Sequence, residues 1–183
     1  MSKHLAAALL LAVVSSARSE TAIYDNFNDD DPAHLFDCCA TLALQGSRQH
    51  VAIPFTPQVH GRVIGFDIAL SLDSGRFTYF NVRLWDSDAS GLPGQWLHSY
   101  EAHDVPPGGQ CCAYEKVRVR IGSPGEPVRP GRTYWIEVFP QDSNVGGWNL
   151  NTLGISGPYV TLDKPGSWTP ANGILPAVRV IVK

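Results

Sequence analysis

The sequence predicts an all-β fold, an antiparallel two-sheet β-sandwich of jelly-roll type, on three observations. Apolar and polar residues alternate over short runs. The longest run is Arg62 to Leu72, with Ile64, Phe66, Ile68, Leu70 and Leu72 on one face and Val63, Gly65, Asp67, Ala69 and Ser71 on the other. Period 2 over such a length marks a strand with one buried face. Turn residues punctuate these runs: the chain has 17 glycines and 14 prolines in 183 residues, above ordinary usage and below the disordered range. After the first twenty residues, no stretch shows helical period with caps.

In chain order, Ile23 to Phe27 opens as a strand and the acidic turn Asn28 to Pro32 follows. Ala33 to Gln49 shows no clean period and is expected to be loop with one short strand at most. His50 to Thr56 alternates, with Val51, Ile53 and Phe55 on one side. Thr78 to Trp85 sets Phe80, Val82 and Leu84 against Tyr79, Asn81, Arg83 and Trp85. The turn DSDASGLPG leads into Gln95 to Tyr100, and Glu115 to Ile121 alternates again. SPGEPVRPG is a turn, and Arg132 to Phe139 sets Tyr134, Ile136 and Val138 against Trp135, Glu137 and Phe139. A short return ends in Trp148-Asn149-Leu150-Asn151. Tyr159 to Leu162 and Ala177 to Val182 close a set of roughly nine or ten strands in one domain.

The N-terminus reads as a targeting segment. Lys3, the apolar run Leu5 to Val14 and the small residues Ser15 to Ser19 make a signal peptide over 1–19, with cleavage after Ala17 or Ser19. The apolar run is short of the ~20 residues that span a bilayer. Residues 20–183 are then one exported domain, secreted or periplasmic, with no membrane span. Removing Lys3 and Arg18 from 14 basic residues leaves 12 against 17 acidic ones, a net charge of −5. Without a basic tract, nucleic acid is not an expected partner.

The cysteines form two adjacent pairs, Cys38-Cys39 and Cys111-Cys112. Export favours disulfides, and four cysteines allow three connectivities. Two of these join the pairs across the fold; the third closes each pair on itself. Cross-links are preferred, because ordinary bridges join Cα atoms ~5.5 Å apart in separate segments.

Motifs for chemistry are sparse. Asp86, Asp88, Ser90 and Gly91 match the opening places of a calcium loop of EF-hand type, but its twelfth place is Leu97 and no helices flank it. An Asp/Ser/Gly turn explains them, and Asp29-Asp30-Asp31 reads the same way. Neither a metal nor a cofactor is expected. No GxSxG occurs, and the histidines are scattered. Glu137 is the best single carboxylate for glycoside hydrolysis, which needs a pair. No catalytic residue is assigned.

Aromatic placement is more informative. Trp85, Trp135 and Phe139 lie opposite the aliphatic positions, beside Asn81, Arg83 and Glu137. Aromatic rings with polar neighbours suit sugars, whose apolar C–H faces stack on rings. Trp85, Arg83, Asn81, Trp135, Glu137 and Trp148 are therefore the candidate ligand-binding residues. The competing reading places Trp85 and Trp135 under loops in a second small core. Trp148 and Trp168 are either loop-borne binding residues or turn staples.

These motifs, in order, are IYDNF, HVAIPFTP, IGFDIALSL, FNVRLWDSDASGLPG, PGRTYWIEVFP, GGWNLN and GSWTPANGILPAVRVIV. Taken together they resemble the choice-of-anchor domains of bacterial exported proteins, many of which carry PEP-CTERM sorting tails. The resemblance implies a jelly-roll-like surface or matrix module, with carbohydrate binding in some members and no agreed catalytic residues. The chain departs from the pattern in lacking the sorting tail and in its paired cysteines. The expected function is a secreted, non-catalytic module that binds an extracellular ligand, with carbohydrate first. A structural or surface-interaction protein comes second, and a small polysaccharide hydrolase third.

Overall fold

The structure is a computed structural model that describes residues 19–45, 49–75, 79–107, 116–122, 124–141, 143–162 and 167–183. The expected signal peptide lies outside these residues, apart from Ser19. So do Cys111 and Cys112 and the side chain of Cys38, and with them the expected disulfides. Cys39 is exposed.

The described residues form fourteen strands, all paired antiparallel, and one 3-10 turn at Pro32–His34. One layer is a six-stranded sheet. Its order is β13 (Thr169–Ile174), β12 (Ser156–Leu162), β3 (His50–Phe55), β10 (Tyr134–Pro140), β6 (Phe80–Ser87) and β7 (Pro93–Ala102). The other layer is made of two smaller sheets. In the first, β1 (Thr21–Asp25), β14 (Val178–Val182), β4 (Gly61–Ile68) and β8 (Val117–Arg120) lie side by side, with β9 (Glu126–Val128) also on β4. In the second, β11 (Val145–Leu150) lies between β2 (Asp37–Gln45) and β5 (Leu70–Ser74). The layers are packed as a sandwich and not closed as a barrel. No helix among the described residues is long and apolar enough to cross a membrane.

The main core lies between the layers. Val51, Ile53, Phe55, Phe80, Val82, Leu84, Tyr134, Ile136 and Val138 of the six-stranded sheet face Val63, Phe66, Ile68, Val178, Val180 and Val182. Each such side chain contributes roughly 1.5–3 kcal/mol by leaving water. These inward sets on β3, β6 and β10 are the ones that alternation predicts.

Four local expectations need correcting. Arg62 to Leu72 is two strands, because the chain crosses at Ala69 from one small sheet of its layer to the other. There Ala69 donates its N–H to the Ala177 carbonyl and accepts from the Asn149 N–H. Within β4, Val63 is fully buried and Ile64 only partly, since a bulge opposite Ile181 and Val182 shifts the register. A bulge of one residue turns the following side chains to the other face. The expected loop before Gln49 contains β2, where Leu42 and Leu44 turn inward and exposed Thr41 and Ala43 outward. Its small residues blurred the period. The expected turn SPGEPVRPG contributes β9, which pairs with β4.

Asparagines hold the seams. Asn26 donates to the Pro176 carbonyl and accepts from the Val178 N–H, and Asn151 binds Ile155 and Leu175. At Gly146, a Cβ would come within 2.1 Å of the Ser71 carbonyl and 2.7 Å of Phe80. This is why the GGWNLN strand carries glycine where it passes over the core.

Outside β14, Arg179 pairs with Asp25 and Asp29, and Lys116 also pairs with Asp29. The Lys116 hydrogen bond, aided by the charges of Arg179 and Lys116, holds the Asp29 carboxyl below the usual carboxylate range. A depressed folded pKa contributes stability at pH above the unfolded value, near 4. That contribution is lost as pH falls through the folded value. Asp29 is half exposed, so the term is below about 1 kcal/mol. Asp29→Asn should therefore lower stability slightly at pH 7 and flatten the acid limb of an unfolding-versus-pH curve. An unchanged acid limb would count against the network.

Candidate functional site

The site lies on the outer face of the six-stranded sheet. Strand register builds it in rows: Arg83, Glu137, Ala52 and Val160 sit in line, and Trp85, Trp135 and Pro54 in the next. Glu137 stands mid-strand on β10, between β3 and β6, and is fully buried. One carboxylate oxygen accepts the Trp85 indole N–H at 2.7 Å, and the other lies 2.5 Å from His50 Nδ1. Arg83 approaches to 3.7 Å. A buried carboxylate is tolerated only with such partners. Glu137 thus serves as a fixed acceptor that orients the Trp85 ring and neutralises Arg83.

A stacked row crosses four strands. His50 stacks on Phe139 with ring centroids 4.3 Å apart. The Arg83 guanidinium lies 4.3 Å from the Phe139 centroid and 5.3 Å from that of Trp96. Arg83 Nε is buried without a hydrogen-bond partner among the described residues, so this cation is held largely by ring faces. Trp96 is 54% exposed and ends the row on the edge strand β7.

Beside this row is a depression of about 480 Å³, lined by Arg83, Trp85, Glu137, Asp88, Leu162 and Trp168, among others. Trp168 meets Trp85 edge-on at 6.1 Å. The 86–94 turn forms one rim. Asp88 accepts from the Ser90 N–H and hydroxyl and from the Leu92 N–H. The Ser90 and Leu92 hydrogen bonds hold its carboxyl below the usual range. Asp86 is taken by Arg132. The two carboxylates that opened the calcium-loop pattern therefore tie the turn and its neighbour together. Among the described residues, no cluster of three metal-ligating side chains occurs.

The candidates named from sequence separate. Arg83, Trp85 and Glu137 line one depression. Trp135 is 4% exposed, donates to Ser87 Oγ, and packs with Ala52 and Val160 under Trp85, Leu92 and Trp168. It belongs to a small second core, as the covered reading expects, and Trp85 is only partly covered. Asn81 sits at the end of the face, bonded to Gln141. Trp148 is elsewhere: fully buried on β11, it donates to the Ala177 carbonyl.

Two contributors escaped the sequence reading, His50 and Trp96, while Trp168, weighed there as a loop-borne binding residue or a turn staple, is a wall of the depression. His50 occupies the outward phase of HVAIPF, which alternation shows, but nothing local says that β3 adjoins β10. For Trp96 no local signal exists, because a bulge that pairs Leu84 with His98 and Trp85 with Trp96 sets its position.

Compared with known families, characterised proteins and solved structures, the chain matches none.

Proposed function

We propose that the protein is an exported, non-catalytic sandwich module that binds carbohydrate on the outer face of its six-stranded sheet. The observation that carries the reading is Trp96. It is a large exposed ring at the end of an aromatic row, next to a depression walled by Trp85 and Trp168 and floored by a carboxylate. Rings supply stacking surface for sugar C–H faces, while the Arg83 guanidinium, part-exposed beside the depression, meets hydroxyls. Glu137 already accepts from two donors, which suits holding Trp85 in place. The resemblance of the ordered motifs to choice-of-anchor domains, and the signal-like N-terminus, support placement outside the cytoplasm.

A surface-interaction role is the second reading, favoured by exposed Leu153, Ile155 and Ile174 at one end of the sandwich. A polysaccharide pull-down with a glycan array separates the two. Trp96→Ala and Trp85→Ala are each expected to weaken glycan binding about tenfold or more, the scale of an aromatic anchor. Trp96→Ala should leave the melting temperature nearly unchanged. Full glycan retention by Trp96→Ala, or none by the wild type, would sink the carbohydrate reading.

A further inference from the structure

Arg118, Arg132 and Arg179 each direct Nε and Nη2 at aspartate oxygens. Arg83 is held differently. Its guanidinium lies over the rings of Phe139 and Trp96. The Glu137 carboxylate stands off at 3.7 Å, beyond hydrogen-bond reach. Both Glu137 oxygens are already taken, one by the Trp85 indole and one by His50. Of the guanidinium nitrogens only Nε is buried. The two Nη groups reach solvent and donate to no described residue, on a side chain that is 30% exposed. Arg83 presents them beside the depression walled by Trp85 and Trp168.

A guanidinium laid between two rings is fixed in plane and angle before a ligand arrives, so a bidentate partner meets a preformed fork. Two adjacent N–H groups match the two oxygens of a carboxylate, and opposite charge strengthens both bonds. Sugar hydroxyls fit the same spacing without the charge. Glu137 and Asp88 also border the depression. Their charges repel an anion placed anywhere else in it, which confines a ligand carboxylate to Arg83.

On the carbohydrate reading, we propose that the glycan is a uronan, a chain of sugar acids. One of its carboxylates joins the hydroxyls at Arg83 and takes the two Nη groups, while that sugar's ring lies against Trp85 and Trp168. Trp96 covers the guanidinium from the edge strand and offers its exposed ring to a neighbouring sugar of the chain. Recognition then rests on one oriented cation, in a chain without a basic tract.

The test compares polygalacturonate, alginate and glucuronan with their carboxyl-reduced forms, which keep each backbone but carry CH2OH in place of the carboxylate. Calorimetry at fixed ionic strength gives the affinities. The wild type should bind at least one uronan about tenfold or more tightly than its reduced form, the scale of a charge-assisted contact. Arg83→Gln should bring the two forms within about twofold of each other. Arg83→Lys should keep part of the preference, because the charge stays and the fork is lost. Arg120→Gln removes an exposed cation from β8 in the facing layer and should change neither affinity. Circular dichroism shows which variants are folded. If Arg83→Gln does not fold, Arg83→Lys decides, and its preference must fall at least about threefold. Equal affinity of the wild type for both forms overturns the uronan assignment, as does a preference that survives Arg83→Gln or is lost in Arg120→Gln. Binding of neutral glycans in any of these cases leaves the carbohydrate reading in place. Retention of neither uronans nor neutral glycans removes both.

Discussion

Glu137→Ala is expected to lose about 3–5 kcal/mol of stability, the range for removing one partner of a buried ion pair. The residue is fully buried and accepts from Trp85 and His50. Without it the Arg83 guanidinium loses its carboxylate, and two N–H donors lose their acceptor. Glu137→Gln keeps the shape but points an NH2 at one of the two donors. His50 can relieve this by changing tautomer, so the cost should be smaller, about 1–3 kcal/mol. Chemical denaturation followed by tryptophan fluorescence orders the two variants. Under the carbohydrate reading, Glu137→Gln should also weaken glycan binding while its far-ultraviolet spectrum stays native, because Trp85 loses its anchor. If Glu137→Ala costs less than about 1 kcal/mol, the carboxylate network does not hold the sheet's outer face together.

Trp148→Ala is expected to cost about 3–5 kcal/mol for a different reason, the cavity left by the largest fully buried side chain. The ring also bonds the Ala177 carbonyl, at the junction where β4, β11 and β14 exchange backbone hydrogen bonds through Ala69, Asn149 and Ala177. Trp148→Phe keeps much of the volume and should lose less, with glycan binding intact. Loss of glycan binding in a folded Trp148→Phe protein would return this residue to the ligand site.

Much of the sandwich is legible from alternation. Val51, Ile53 and Phe55, Phe80, Val82 and Leu84, and Tyr134, Ile136 and Val138 all read as inward and are inward. The outer-face phase of Arg83, Trp85 and Glu137 follows from the same count. Trp148 misled because, from its neighbours, a tryptophan beside glycines in a short strand looks the same in a loop and in a core. β13 carries no apolar alternation and exists through its pairing with β12. The division of Arg62 to Leu72 into β4 and β5 was hidden because alternation continues almost unbroken through Ala69.

Sidedness is a local property. Successive residues of an extended chain point to opposite faces, so the order of apolar and polar residues assigns each strand its inner face without reference to any other strand. Adjacency is not local. Which strand lies beside β10 depends on the summed pairing and burial of the whole sheet, and it brings His50 to Glu137 across 87 positions of chain. The bulge that exposes Trp96 also arises between two strands and not within one. The fold class and the faces were therefore present in the chain's pattern, while the composition of the site was decided by which faces the tertiary fold set side by side.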